Sequence, residues 1–305
     1  MAPIHRLAVI QWRIEDLAPE ENHTKACTLI RKAAAQGAEL AVLPEYHLTG
    51  FAPSSPLYLH QTNPHITKKY LQAYQSLAQE LNICLVPGTI VEDHTPPAST
   101  SSNQEQDQDR SQKPVLYNTA YFISNTGEIL SSYKKKNIWH PERPYLTSSG
   151  HDPHQVIDTP LGKVGLLICW DLAFPEAFRE LIAAGAGLII VPTYWTKYDA
   201  SPALLARNLD CERLFLEATL TARCFENTCG VVFANVAGGE EEGFLGLSRV
   251  TMPGVGVVGG LGREEGVCVV DVDMGLLAEA EENYRVREDL GREGWYYTYR
   301  HQGRS

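Results

Sequence analysis

The sequence predicts an α/β fold with one large core. Apolar runs of strand length alternate with segments of helical periodicity through the first half of the chain, which is the pattern of strand-helix-strand units. Hydrophobic residues make up 44% of the 305 residues and charged residues 21%, so the chain has enough apolar material for a globular core. No linker divides it. We therefore expect a single domain over residues 1–290 and a C-terminal tail over residues 291–305.

The first elements follow from hydrophobic periodicity and from proline and glycine signals. Arg6–Trp12 is a compact apolar run and predicts a strand. Pro19–Gln36 places its apolar side chains on one helical stripe, and a glycine directly after it is a stop signal. The pattern then repeats with a strand at Glu39–Leu43, a helix at Ile66–Leu81 and a strand at Ile83–Val91.

The second half of the chain resumes with further strands and helices. Val115–Ile123 and Ile129–Lys135 predict two strands joined by a turn. Val164–Cys169 predicts a strand, and Pro175 suits the first turn of a helix after it. Val267–Val272 predicts a late strand.

Residues 94–113 differ in composition from the rest of the chain, because they contain almost no apolar side chains. Such a segment cannot bury enough surface to offset the entropy lost on ordering. We expect a disordered surface insertion here. A regulatory or partner-binding role is the alternative.

Charge and targeting signals restrict the partners and the location. The formal net charge of -11 argues against nucleic acid or an anionic membrane as the main partner, because phosphate binding needs a concentrated basic face. The N-terminus lacks the features of a secretory signal and no apolar run approaches a membrane span, so we expect a cytoplasmic protein. Seven cysteines at irregular spacing indicate reduced thiols rather than a disulfide framework.

Three reactive side chains stand near the ends of expected strands: Glu45, a lysine within Lys134–Lys136, and Cys169. A carboxylate, an ammonium and a thiol at one sheet edge supply a proton acceptor, an oxyanion stabiliser and a nucleophile. Desolvation should raise the pKa of Glu45, and a following helix N-terminus should lower the pKa of Cys169. The plainer alternatives are a solvent-facing loop glutamate and an inert core cysteine.

The three consecutive lysines pose a question of register. Side chains alternate between the two faces of a strand, so either Lys135 alone or Lys134 and Lys136 together can face the site. Strand geometry by itself leaves both options open.

The reactive side chains lie in three segments: LPEYHLTGF (43–51), SYKKKNIWHPER (132–143) and GLLICWDLAFPE (165–176). Together the three segments resemble the nitrilase superfamily, the carbon-nitrogen hydrolases. The resemblance runs from Ile4 to Arg287 and also includes HRLAVIQWRIED, ARCFENTCGVVFAN and SRVTMPGVGVV, which fall in the family's order. It implies a four-layer αββα sandwich, in which two central sheets lie between pairs of helices.

The resemblance also implies roles for individual residues. The family pattern of Tyr, Arg, Lys, any residue, His and Leu aligns with Tyr133–Ile138 and selects Lys135, although Asn137 stands where histidine is usual. Glu142 matches a second glutamate that many family members place beside the triad, where it can hold the lysine charged and orient it. A surface glutamate is the alternative for Glu142.

The implied activity is hydrolysis of a nonpeptide carbon-nitrogen bond in a small amide through a cysteine thioester. Glu45 takes the proton of Cys169, while Lys135 and the backbone NH of Trp170 hold the developing negative charge. No cofactor is required, and a homodimer or larger homo-oligomer is expected. The alternatives are a nitrilase, an N-carbamoyl amine hydrolase and a catalytically idle assembly module.

Aromatic residues close in sequence to the triad are candidates for the pocket wall, because small-molecule sites are largely apolar. The resemblance favours Tyr46, Trp139 and Trp195 as substrate-binding residues, and Trp170, directly after Cys169, is a fourth candidate. No metal site is expected, because His151 and His154 lie in a proline-containing loop without a neighbouring ligand motif.

Overall fold

The computed structural model describes residues 2–97, 113–239 and 241–293. Within these ranges the strands are β1 (Ile4–Gln11), β2 (Leu40–Val42), β3 (Cys84–Val86), β4 (Thr89–Asp93), β5 (Leu116–Ile123), β6 (Ile129–Lys134), β7 (Val156–Thr159), β8 (Gly162–Leu166), β9 (Leu188–Pro192), β10 (Gly230–Ala234), β11 (Arg249–Met252), β12 (Gly256–Gly260) and β13 (Gly266–Asp273). The helices are α1 (Pro19–Ala35), α2 (Pro56–Gln61), α3 (Pro64–Leu81), α4 (Pro175–Ala183), α5 (Pro202–Arg207), α6 (Cys211–Phe225), α7 (Gly275–Tyr284) and α8 (Val286–Leu290).

Local signals account for the ends of the main helices. Helix α3 begins at Pro64, and the side chain of Asn63 before it accepts a hydrogen bond from the backbone NH of His65. It ends at Leu81, and the next residue, Asn82, adopts the left-handed conformation that asparagine tolerates. Helices α1 and α4 also begin at prolines, as the sequence predicts.

The strands form two mixed sheets. The first has the order β13-β1-β2-β3-β5-β4, with β6 paired to β5, and the second has the order β12-β11-β10-β9-β8-β7. Strands β1, β2 and β3 are parallel to one another, as are β8, β9 and β10. Parallel neighbours end at the same edge of a sheet, so the segments that follow them lie close together.

Alternation along β1 shows how the layers pack. Leu7 and Val9 belong to the core between the two sheets, whereas Ala8 and Ile10 belong to the core under helices α1 and α3. Helices α4 and α6 bury Phe178 and other apolar side chains against the second sheet. The order helices, sheet, sheet, helices is the predicted four-layer αββα sandwich, and the α/β class is confirmed.

The prediction of one continuous strand at Ile83–Val91 is wrong. Pro87 and Gly88 divide this segment into two strands: β3, which pairs with β2, and β4, which pairs with β5. Proline has no NH to donate to a sheet, and Gly88 has a φ of +60°, which favours glycine. A side chain at position 88 would lie 1.8 Å from the carbonyl oxygen of Pro44, so this glycine lets the chain pass close to the segment that carries Glu45.

The ends of the predicted insertion at residues 94–113 are joined by strand pairing. Asp93 lies opposite Leu116, and the backbone NH of His94 donates to the carbonyl of Val115 at 2.8 Å. Residues 98–112 and most of the predicted tail, from residue 294, lie outside the described residues. In the part of the chain that the structure describes, no helix is long and apolar enough to cross a membrane.

Candidate active site

Glu45 lies just beyond β2 and is completely buried between the two sheets. Its Oε1 accepts hydrogen bonds from Asn118 Nδ2 at 2.8 Å and from Lys135 Nζ at 2.9 Å. Its Oε2 accepts from the backbone NH of Tyr194, which follows a strand of the other sheet, at 3.0 Å. Burial raises the pKa of Glu45 to about 7, even though the positive charge of Lys135 opposes the rise. A carboxyl with this pKa can both accept and return a proton near neutral pH.

Only one of the three consecutive lysines points into this site. The Lys135 side chain is fully buried, and its Nζ lies between the carboxylates of Glu45 and Glu142. By contrast, Lys134 lies over the ring of Tyr117 at 4.2 Å, and Lys136 is partly exposed. Lys135, which directly follows β6, is therefore the member of the run that points inward, the option that the resemblance selects.

Glu142 holds the other side of the lysine ammonium. Its two carboxylate oxygens accept from Lys135 Nζ at 2.7 and 2.9 Å, and the backbone NH of Trp139 donates to Oε2 at 2.9 Å. The hydroxyl of Tyr46 donates to its Oε1. Burial alone would lower the pKa of Lys135, but attraction to Glu142 and Glu45 outweighs it and raises the pKa well above its ordinary value. The lysine thus stays charged.

Cys169 does not close a strand, contrary to the sequence prediction. Strand β8 ends at Leu166, and Cys169 begins a short 3-10 helix at Cys169–Ala173. Its φ of 44° lies in the left-handed region, which is uncommon for a residue with a side chain. Strain of this kind costs on the order of 1–3 kcal/mol and is concentrated at functional sites. Only 7% of Cys169 is exposed.

The expectation of a lowered pKa for Cys169 is also not met. Burial raises this pKa well above its ordinary value, the charge of Glu45 raises it further, and the charge of Lys135 opposes the rise. The thiol is packed beside a carboxylate and away from water, and these effects dominate over the end of a short helix. A raised pKa favours the neutral thiol, so removing its proton requires a base.

A buried carboxylate connects the cysteine segment to the lysine segment. Asp171 accepts from the backbone NH of Ile168 at 2.9 Å and from the hydroxyl of Tyr133 at 2.8 Å. It also accepts from both the backbone NH and the side-chain amide of Asn137, at 2.9 and 2.8 Å. Asn137, which stands where the family pattern has histidine, therefore contributes to this connection.

Comparison with known proteins identifies the family of this chain. The sequence profile of the carbon-nitrogen hydrolase family matches residues 6–282. The chain belongs to the carbon-nitrogen hydrolase family. This confirms the resemblance to the nitrilase superfamily and makes the chain a hydrolase of carbon-nitrogen bonds other than peptide bonds.

Similar proteins are amidases. This hydrolase is 29% identical to the deaminated glutathione amidase of Bos taurus over 85% of this chain and 74% of the relative. It is 28% identical to the omega-amidase NIT2 of Homo sapiens over 93% and 96%. A solved structure with a TM-score of 0.69 and 26% identity, covering 92% of this chain and 97% of the other, is a cysteine-to-alanine mutant of an amidase from Nesterenkonia sp. AN1 in complex with butyramide.

The pocket of this carbon-nitrogen hydrolase opens over the cysteine. Among the described residues, the lining combines the cysteine with aromatic rings and carboxylates: Trp139, Glu142, Cys169, Trp170, Tyr194, Trp195 and Asp199. The rings of Trp139 and Trp170 are 4.3 Å apart and those of Trp170 and Trp195 are 5.6 Å apart. Three of the four aromatic residues predicted to bind substrate therefore line the pocket. Tyr46 is instead bonded to Glu142, and its contact with substrate stays a prediction.

Sequence reasoning did not single out Asn118, Asp171 or Asp199. Asn118 interrupts an apolar strand, and Asp171 directly follows Cys169 and Trp170. Both are polar residues that are fully buried, so a polar residue within an otherwise apolar segment was the signal that could have indicated them. Asp199 ends a three-residue 3-10 helix in the connection between β9 and α5, where charged residues are ordinary, and only its place in the pocket distinguishes it.

Proposed function

We propose that this hydrolase cleaves the carbon-nitrogen bond of a small nonpeptide amide through a thioester on Cys169. One observation carries the proposal: the Lys135 ammonium lies buried between the carboxylates of Glu45 and Glu142, and Cys169 lines the same pocket as Glu142. That set supplies a base, a cation and a nucleophile in a site shielded from water.

In the first half of the reaction Glu45 takes the proton of the Cys169 thiol as the sulfur attacks the amide carbon. The carbonyl oxygen becomes an oxyanion, which Lys135 and the backbone NH of Trp170 stabilise. An ammonium group has three protons, and one can be directed to the oxyanion while the others stay on the carboxylates. Glu45 then returns its proton to the nitrogen, and ammonia or an amine leaves.

In the second half Glu45 removes a proton from water, which attacks the thioester carbon. The carbon-sulfur bond breaks, the sulfur regains a proton, and the carboxylic acid is released. A pKa near 7 suits Glu45 to both proton transfers. Glu142 positions Lys135 and keeps it charged without exchanging a proton with the substrate.

Substrate identity and assembly stay at the level of expectation. The similar solved structure that binds butyramide supports a small amide as the class of substrate. The expected homo-oligomer stays a prediction.

The test is release of ammonia by the purified protein from matched pairs of amides and nitriles with the same side group. We expect acid formation from the amide, loss of at least about 1,000-fold in kcat with Cys169→Ala, and no such loss with Cys268→Ala. Cys268 is a partly buried cysteine in β13 and serves as the matched control. Conversion of the nitrile with the amide untouched would contradict the proposal, as would an active Cys169→Ala variant.

A further inference from the structure

One carboxylate in the pocket has no part in the proposed reaction. Asp199 lines the same cavity as Cys169 and belongs to a 3-10 helix at Lys197–Asp199. Its Oδ2 accepts a hydrogen bond from the backbone NH of Thr196 at 2.8 Å, which caps that helix. The other carboxylate of the lining, Glu142, is already bound by Lys135. Asp199 is therefore the acidic group of the described lining that a ligand can engage.

The charges around Asp199 leave its negative charge poorly compensated. Burial raises the pKa of Asp199 to about 7, the Thr196 NH lowers it, and the nearby charges of Glu212 and Glu142 raise it again. The charge of Lys135 lowers this pKa, but the Lys135 ammonium is already paired with Glu142 and Glu45. A carboxylate removed from water without its own cation is costly, and a cation brought by a ligand would offset that cost.

The rest of the described lining fits a cation better than an anion. It contains no arginine, lysine or histidine that could bind a negative group of the substrate. It does contain Trp139, Trp170 and Trp195, and indole faces attract cations. The Nε1 of Trp195 donates to Glu212 at 2.7 Å, which places a second carboxylate at this wall.

We propose that Asp199 determines specificity by selecting amides whose acyl group ends in an ammonium. This inference rests on the proposed hydrolysis at Cys169 and goes beyond it by assigning the charge of the substrate. Asp199 pairs with the ammonium during binding and takes no part in proton transfer.

The kinetic test uses amides of equal shape and different charge. γ-Aminobutyramide, δ-aminovaleramide and ε-aminocaproamide are each compared with the alkyl amide in which methyl replaces ammonium, and adipic acid monoamide supplies the negative end. Hydrogen bonds between charged groups are stronger than those between neutral groups, so we expect the best ammonium amide to exceed its methyl partner at least about tenfold in kcat/KM. The difference should lie in KM, and the negative amide should be the poorest substrate.

Asp199→Asn keeps an oxygen that can accept from Thr196 and removes only the charge. We expect it to reduce the ratio of kcat/KM for the ammonium-ended amide to that for its methyl-ended partner to about one, because a helix cap alone does not distinguish the two substrates. Asp199→Glu should keep part of the preference. The matched control is Asp158→Asn, at an exposed aspartate of β7, which should keep all of it.

A binding measurement separates this inference from the proposed function. Cys169→Ala should bind the ammonium amides more tightly than the methyl amides, read by fluorescence of the pocket tryptophans, and Cys169→Ala with Asp199→Asn should bind both alike. That binding pattern without turnover in the parent protein would contradict the proposed function alone. Hydrolysis of methyl-ended amides by a parent protein that shows no preference for ammonium would overturn the role of Asp199.

Discussion

Glu142→Gln tests the arrangement of charges that the proposed mechanism requires. Glutamine has nearly the shape of glutamate and keeps an oxygen for the Tyr46 hydroxyl, but it removes one negative charge beside Lys135. The activity of this hydrolase should rise with pH through about 7, since Glu45 acts as a base only when deprotonated. Repulsion from Glu142 raises the pKa of Glu45, so its removal should move this acidic limb to lower pH.

The contacts at Lys135 set the size of the effect. Glu45 and Glu142 oxygens that bond one nitrogen at 2.9 and 2.7 Å lie less than about 6 Å apart. At an effective dielectric constant of about 20, two charges at that separation repel by roughly 3 kcal/mol, which corresponds to about two pH units. Because the Lys135 ammonium can shift toward Glu45, its remaining partner, we expect the acidic limb to move by about one to two pH units.

The assay is kcat/KM of a neutral amide measured from about pH 5 to pH 9. The plateau should fall about 10- to 100-fold in Glu142→Gln, because charge-assisted hydrogen bonds worth about 1.5–3 kcal/mol to Lys135 are weakened. Glu279→Gln, at an exposed position of α7, is the matched control and should leave the profile unchanged. An acidic limb that stays in place or moves to higher pH would refute the reasoning.

Two further predictions follow from the fold. Lys135→Ala should abolish hydrolysis and lower the free energy of unfolding by about 3–5 kcal/mol, because it leaves two buried carboxylates without their cation. Lys134→Ala removes a cation–π contact and should lower the free energy of unfolding by less than about 1 kcal/mol. Urea unfolding and ammonia release measure both variants, and equal losses would contradict the register. Deleting residues 98–112 should change the melting temperature by less than about 3 °C and leave turnover intact, since β4 and β5 already bring the cut ends together; a large fall in either would show that the segment contributes to the fold.

Local chemistry in the sequence predicted much of the fold and the residue types of the site. The periodic runs around β1, α1 and α3 predicted the α/β class, because one buried face imposes its period on a strand or helix. Reactive residues at Glu45 and Cys169 stood out because they follow apolar strands. The division at Pro87–Gly88 was missed, since the apolar run continues across it and only strand pairing shows where the chain turns.

Tertiary structure decided which side chains meet and what their charges do. Strand alternation allowed either Lys135 or its two neighbours to face inward, and the two buried carboxylates around Lys135 show which one does. The pKa of Cys169 is raised rather than lowered, because burial and a carboxylate from a distant part of the chain act on it together. Asp199 is a candidate for substrate binding only because the folded chain places it in the lining of the same pocket as Cys169. Periodicity and residue type are local properties, whereas desolvation and charge interactions depend on distances between segments far apart in sequence, and those distances exist only in the folded chain.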